Sequence, residues 1–231
     1  MKELTCQVVS ITPLTDFVHK VLLKPDAKAE FEAGQYLNVV MGEEDKRPFS
    51  IASAPESEYL ELQIGAFGAD GYAMQVIDKL KSESEIKVEV GLGAAQLREE
   101  SDRPLLLIAG GTGFSYIKSI FEHLAATHST RKVIVYWGLR QTDASFELKR
   151  TMDTLGQLNE ADFNLVIENP GEGWEGKTGM VHKVVMDDID NLGDFDIYLA
   201  GRFDMVGAVR TDFVAKGADV ERMFADAFAF I

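Results

Sequence analysis

Two short segments hold residue types and spacings that could do chemistry. In Arg47-Pro48-Phe49-Ser50 a guanidinium, two flat apolar groups and a hydroxyl fall within four residues. Arg47 offers fixed donors for phosphate or carbonyl oxygens. The Ser50 hydroxyl can donate to a ring nitrogen, while Pro48 and Phe49 supply apolar surface. Pro48 lacks a backbone donor and so suits a strand start or edge. The plain alternative is an ordinary exposed arginine beside a strand. The second segment, Ala109-Gly110-Gly111-Thr112-Gly113-Phe114, sits where a strand becomes a helix. Glycines allow positive φ and close approach of a ligand, and the N–H groups of the helix start favour an anion. The spacing is not G-x-G-x-x-G, because Tyr116 stands where the last glycine belongs, and no Gly-Lys-Ser/Thr follows to make a phosphate loop. A tight turn without a ligand is the alternative; the position at the end of a parallel strand favours the binding reading. His19, His123, His128 and His182 are scattered without metal spacing, and neither a metal site nor a catalytic triad is expected.

These segments need a scaffold, and the composition permits one. The chain has 231 residues, is 46% hydrophobic and carries a net charge of −15. That length suits one or two domains with a sizeable core. An acidic chain without a basic block is a poor candidate for nucleic acid or an anionic membrane. A lone cysteine, Cys6, excludes an intrachain disulfide framework, a four-cysteine zinc site and a cysteine-ligated iron–sulfur cluster. No apolar run reaches the ~20 residues needed to span a bilayer, and no apolar segment marks a secretory leader. The expected compartment is a reducing cytoplasm.

The first hundred residues read as β. Apolar stretches at 6–11, 17–23, 36–41, 60–64 and 86–90 are of strand length, with turn residues between them. Leu60-Glu61-Leu62-Gln63-Ile64 and Lys87-Val88-Glu89-Val90 alternate with period two, as half-buried strands do. One helix is expected over 72–80, with Tyr72, Val76 and Leu80 on one face. A small antiparallel barrel or sandwich follows. After Arg103-Pro104 the period changes. Leu105-Leu106-Leu107-Ile108-Ala109 and Val133-Ile134-Val135-Tyr136-Trp137 are continuous apolar runs that fit strands buried on both faces. Strands are also expected over 163–167, 196–199 and, closing the chain, 223–228. Helices are expected from Phe114 to Leu124, over 146–158, and around Val181–Asp188 and Val206 to Phe213. Alternating β and α elements imply right-handed crossovers and a doubly wound parallel sheet. The division falls near 99–103, giving a barrel of residues 1–100 and an α/β unit of residues 101–231.

Together these segments resemble the ferredoxin–NADP reductase superfamily, and within it the bacterial NAD(P)H-flavin reductases. The resemblance rests on Asp45-Lys46-Arg47-Pro48-Phe49-Ser50, on the stretch from Leu107 through Gly110-Gly111-Thr112-Gly113-Phe114-Ser115-Tyr116, on Asp196-Ile197-Tyr198-Leu199-Ala200-Gly201-Arg202-Phe203 and on the ending Asp226-Ala227-Phe228-Ala229-Phe230-Ile231. It covers the chain in order. It implies a flavin-binding Greek-key β-barrel followed by a nicotinamide-nucleotide domain. The implied activity is hydride transfer from NADH or NADPH to N5 of a free flavin, whether riboflavin, FMN or FAD. Ser50 would face flavin N5, Arg47 the flavin's polar edge or side chain, and Pro48 and Phe49 its ring. Gly110, Gly111, Thr112, Gly113, Phe114, Ser115, Gly201, Arg202 and Phe203 would bind the nicotinamide nucleotide. Phe228 and Phe230 lie where the superfamily often stacks an aromatic on the rings; a packed last strand is the alternative for them.

Departures from the family pattern matter too. The segment 64–72 has glycines but no serine at a Gly-x-x-Ser position, and Asp70 would repel phosphate. This favours a flavin that comes and goes as a substrate. The turn 90–96 lacks the histidine, glutamate and tryptophan usual in flavin reductases. The second parallel strand ends at Arg140, with no acidic residue for a ribose diol; Arg140 could take a 2′-phosphate or be a plain surface arginine. Reduced flavin released by such an enzyme would serve a monooxygenase, a luciferase or a ferric complex. The competing readings are a flavoprotein with bound FAD that passes electrons to an oxygenase or ferredoxin, and a module that senses flavin or nucleotide without turning it over.

Overall fold

The computed structural model describes residues 2–68 and 71–229. The N-terminal half is a six-stranded antiparallel sheet made of β1 (Lys2–Pro13), β2 (Val18–Pro25), β3 (Tyr36–Val40), β4 (Lys46–Ser50), β5 (Leu60–Gly65) and β6 (Glu85–Leu92), in the order β4-β3-β6-β1-β2-β5. Just beyond β4 the Ala52 N–H donates to the Glu61 carbonyl at 2.7 Å, which brings the two edge strands together and closes the barrel. Leu62, Ile64, Val88 and Val90 alternate inward to a core that also holds Cys6. Burial pushes the Cys6 thiol up to about 12, so it is an inert packing group. Helix α1 (Tyr72–Ser82) lays Val76, Ile77 and Leu80 on this core. Tyr72, expected on the same face, is 54% exposed instead.

The second half is a parallel sheet of β7 (Leu105–Gly110), β8 (Val133–Leu139), β9 (Ala161–Ile167), β10 (Lys177–Thr178), β11 (Asp196–Ala200) and β12 (Met223–Phe224), ordered β10-β9-β8-β7-β11-β12. Central β7 is buried from Leu105 to Ala109. Leu105, Leu107 and Ala109 face α2 (Phe114–Ala126) and α3 (Leu148–Leu155), while Leu106 and Ile108 face α4 (Val181–Asp188) and α5 (Phe203–Ala215). The chain leaves β7 toward β8 but leaves β11 toward β12, on the other side. The crevice between the carboxyl ends of β7 and β11 is therefore the topological switch point.

Several elements differ from the expectation for physical reasons. β4 is a strand that the apolar pattern does not mark, although Pro48 lies on this edge strand opposite Asn38, as expected for a residue without a backbone donor. β5 alternates in sequence yet is buried on both faces, because Glu61 and Gln63 meet α2 rather than water. Helix α3 begins at Leu148, not 146, because Glu147 takes a left-handed φ of 49° and its carboxylate reaches Lys20 at 2.6 Å and Gln63 at 3.1 Å. The final strand stops at Phe224. Residues Asp226–Ala229 form a 3₁₀ turn, because the half-buried Asp226 carboxylate accepts the backbone N–H groups of Ala94 and Ala95.

The seam between the halves is polar and dry. Lys118 is 2% exposed, and its ammonium lies 3.2 Å from Glu61, 2.8 Å from Glu122 and 3.2 Å from the Ala52 carbonyl. Arg150 adds contacts to Glu122 at 3.2 Å and Glu61 at 3.6 Å. Breaking a buried pair from one side leaves an uncompensated charge, which costs about 3–5 kcal/mol. Lys118→Met is therefore expected to lose about that much in urea unfolding. The double variant with Glu61→Gln should recover part of the loss, because the orphaned carboxylate is removed as well.

Candidate active site

The glycine turn is built from the sheet outward. At the end of β7, Gly110 passes into a 3₁₀ turn, Gly111–Gly113, that leads into α2. Gly111 has a φ of +56° and no heavy atom within 4 Å of where a Cβ would stand, so the space above it is open. Gly113 is the reverse case: a Cβ there would lie 2.5 Å from the Ala200 carbonyl oxygen at the end of β11. Met205 fills the floor of the crevice. Its Sδ lies 2.7 Å from the point where a Gly110 Cβ would be, and its Cε 2.8 Å from the same point at Gly201. The two glycine turns can approach only because neither carries a side chain.

Below the turn, Trp137 donates its indole N–H to the Gly111 carbonyl at 2.9 Å. Phe114 stacks on Trp137 with centroids 4.1 Å apart, and Phe146 meets both rings edge-on. The side chains of two of the expected nucleotide-binding residues turn inward. Phe114 is fully buried in the α/β core, and its N–H is already bonded within the turn, so it supports the cradle instead of lining it. Ser115 is 3% exposed and donates its hydroxyl to Gln63 of β5 at 3.2 Å, so it joins the two halves. Thr112 does face the barrel. Its Cγ2 would lie 3.0 Å from a Cβ on Gly65, at the end of β5. Gly201, Arg202 and Phe203 form the opposite lip at the start of α5, with Phe203 57% exposed. Arg140, at the tip of β8, is exposed, and its guanidinium has no partner among the described residues.

On the barrel side β4 presents its residues in alternation. Arg47 is buried, Pro48 exposed, and Phe49 half-buried against the barrel core. Ser50 is half-buried opposite Tyr36 of β3, and its hydroxyl makes no hydrogen bond among the described residues. The Arg47 guanidinium is held by Asp45 at 2.9 and 2.7 Å, by the Tyr72 carbonyl at 2.6 Å and by Gln75 at 2.8 Å. Next to Ser50's neighbour Tyr36 lies Gly93, with a φ of +98° and an Asp226 oxygen 2.8 Å from its Cβ position. Burial raises the Asp226 carboxyl above its ordinary value, against the pull of two backbone N–H donors. Phe228 lies in the closing 3₁₀ turn rather than a strand, half-buried, with Arg210 5.0 Å over its ring. Phe230 and Asp70 lie outside the described residues.

Three residues not expected to have a part in the site help to build it: Met205, Trp137 and Asp45. Nothing in the sequence marks Met205. Trp137 carried a signal, because a tryptophan at a buried strand end needs a partner for its N–H. Asp45 stands two residues before Arg47, on the same side of an extended chain.

An antiparallel barrel joined to a doubly wound sheet, with an arginine–serine strand on one and a bare glycine turn on the other, has the two-part fold of the ferredoxin reductase-like class. A family model described as the oxidoreductase NAD-binding domain matches residues 107–211. The chain is 45% identical to an NAD(P)H-flavin reductase of Vibrio harveyi, with 98% of each chain covered, and 44% identical to one of Aliivibrio fischeri, with 99% of each covered. In three dimensions it is similar to the flavohem-like FAD/NAD-binding domain of nitric oxide dioxygenase from Vibrio cholerae, with a TM-score of 0.82 over 96% of each chain at 18% identity. The chain belongs to the NAD(P)H-flavin reductase family.

The two glycines of the cradle predict opposite behaviour. Gly113→Ala forces a methyl into a backbone carbonyl and should cost about 2 kcal/mol or more of stability. Gly111→Ala should cost about 1–2 kcal/mol for its left-handed backbone, and its methyl should weaken nucleotide binding. Thermal unfolding and NADPH titration of the two variants separate these effects.

Proposed function

We propose that the protein reduces free flavin, whether riboflavin, FMN or FAD, with a hydride from NADH or NADPH, and releases the reduced flavin. The observation that carries this reading is the placement of the Ser50 strand end and the open Gly111 cradle on either side of one seam. They are joined by α2, which starts at the cradle and bonds the Ala52 and Ser53 carbonyls. Passage of hydride from nicotinamide C4 to flavin N5 is chemistry that the two bound ring systems supply themselves.

The chain's residues bind and orient. Ser50, whose hydroxyl is otherwise uncommitted, is assigned to the flavin N5 edge, with exposed Pro48 beside the ring and Phe49 stiffening the strand from the core side. Arg47 is assigned to the flavin's tail. Gly110, Gly111, Thr112 and Gly113 lie under the nicotinamide nucleotide, and Gly201, Arg202 and Phe203 form the other wall of the crevice. Arg140 is assigned to a 2′-phosphate, and Phe228, with Phe230 beyond it, to stacking on the rings. We place the division between the two functional units at residues 1–100 and 101–231. The enzyme works in the cytoplasm and supplies reduced flavin to a monooxygenase, a luciferase or a ferric complex.

Purification and a single assay test this reading. The expected protein is colourless and oxidises NADPH only when riboflavin is added. A yellow protein indifferent to added flavin would instead carry bound FAD and pass its electrons to a protein partner. Ser50→Ala is expected to lower turnover about 10–100-fold, the scale of losing one donor to developing charge, with an unchanged unfolding midpoint. A variant that turns over like wild type removes Ser50 from the mechanism. Arg140→Ala should shift the preference between NADPH and NADH toward NADH, read as the ratio of kcat/KM values.

A further inference from the structure

Arg47 is the group that the proposed function sets beside the flavin's tail, and its charge is already taken. An arginine presents Nε and one Nη as a flat fork that matches two oxygens of a phosphate or carboxylate. Here that edge faces Asp45, with Nε to one carboxylate oxygen at 2.9 Å and Nη2 to the other at 2.7 Å. The remaining Nη bonds the Tyr72 carbonyl at the start of α1, and the Tyr72 ring lies 4.3 Å from the guanidinium carbon. Asp45 therefore sits where an anionic ligand's oxygens would sit. Its backbone is fixed as well, because the Met41 and Gly42 N–H groups both donate to its carbonyl. The carboxyl is held below its ordinary range, first by the hydrogen bond from Arg47, and so stays ionised at neutral pH.

The neighbouring cation is engaged in the same manner. Lys46 lies 2.5 Å from the buried carboxylate of Glu89, which Asn38 also bonds at 3.2 Å. Both cations of this strand are thus matched by a carboxylate of the chain itself. A phosphate arriving here meets no uncompensated charge and must compete with Asp45 for the fork. A ribityl chain carries hydroxyls and no charge, and it can bond to the half-exposed side of the pair as it stands.

We propose that Asp45 is a specificity-determining residue which, by filling the Arg47 fork, sets the site against the phosphate-bearing flavins FMN and FAD and toward riboflavin. This rests on the assignment of Arg47 to the flavin's tail. In Asp45→Asn the amide keeps one acceptor for Arg47 but removes the negative charge, so the fork becomes available to phosphate.

The test is titration of riboflavin, FMN and FAD, followed by quenching of flavin fluorescence, into the wild-type protein and variants. Asp45→Asn is expected to lower the ratio of the FMN to the riboflavin dissociation constant about tenfold, the scale of one charge-assisted hydrogen bond. The gain should shrink in about 0.5 M salt, where screening is short-ranged, and vanish in the double variant with Arg47→Lys, which lacks the fork. An unchanged ratio in a folded Asp45→Asn protein, or a gain that survives the double variant, overturns the proposal. Failure of the underlying site assignment looks different. In that case Arg47→Lys alone and Ser50→Ala alone would both bind all three flavins as the wild type does.

Discussion

The buried ammonium of Lys118 is the interaction on which the arrangement of the molecule depends. It sits on α2, one turn beyond the glycine cradle, and reaches across the seam to the Ala52 carbonyl, two residues past Ser50. Ser119 repeats the link one residue on, with a 2.8 Å bond to the Ser53 carbonyl, and Ser115 makes a third with Gln63. Such a charge is tolerable in a dry interface only when its partners leave nothing unpaired. Glu61 and Glu122 flank Lys118, Arg150 answers both carboxylates, and Lys20 answers Glu147. Apolar packing would bury area here too, but it would allow sliding. Directed bonds from one helix to two successive carbonyls just past a strand end fix a register.

That register is what hydride transfer requires. A reaction between two bound rings gains most from orientation, and misplacement by about 1 Å is costly. Ser50 ends a strand and Gly111 begins a turn into a helix, so the two residues proposed to meet the reactants both belong to regular elements. Apart from Thr112, which faces the barrel, the cradle has no side chain to stiffen it. Rigidity comes from beneath, through the Trp137 indole bonded to the Gly111 carbonyl and the Phe114 and Phe146 rings packed around it. The apolar cluster of the α/β half thus reaches the site without touching a ligand.

Much of this was legible in the sequence where one force dominates. The continuous run from Leu105 to Ala109 and the helical spacing from Phe114 to Leu124 announce a buried parallel strand and its helix, and both are found there. The sequence is less informative where tertiary contact decides. Glu61 and Gln63 look like the wet face of a half-buried strand, because nothing local reveals that Lys118 and Ser115 will cover them. Phe114 adjoins the glycine turn in sequence, yet its spacing with Ile117 and Phe121 already assigned it to the core side of α2. Asp226 pulls the last residues off the sheet toward Ala94 and Ala95, a contact between segments more than a hundred residues apart that no periodicity encodes. The cradle and the Arg-Pro-Phe-Ser strand were visible as motifs. Their separation across a seam, and the bonds that set it, were not.

Charge ties the two ends of the site together. On a chain with a net charge of −15, any anionic ligand depends on local cations. On the barrel side these are matched by the chain's own carboxylates, Lys46 by Glu89 and Arg47 by Asp45. Across the seam Arg140 stands exposed and unmatched among the described residues, beyond a helix start whose N–H groups lie close to the cradle. On the proposed assignments the chain offers two matched cations to the flavin and one unmatched arginine to the nucleotide. Both substrates are flat, nitrogen-rich ring systems with sugar-derived tails, so ring shape alone separates them poorly. A nicotinamide nucleotide always carries its phosphates, whereas a flavin need not. On the proposed assignments, the pairing of Arg47 with Asp45 and the exposure of Arg140 would let that difference direct each ring system to its own side of the seam.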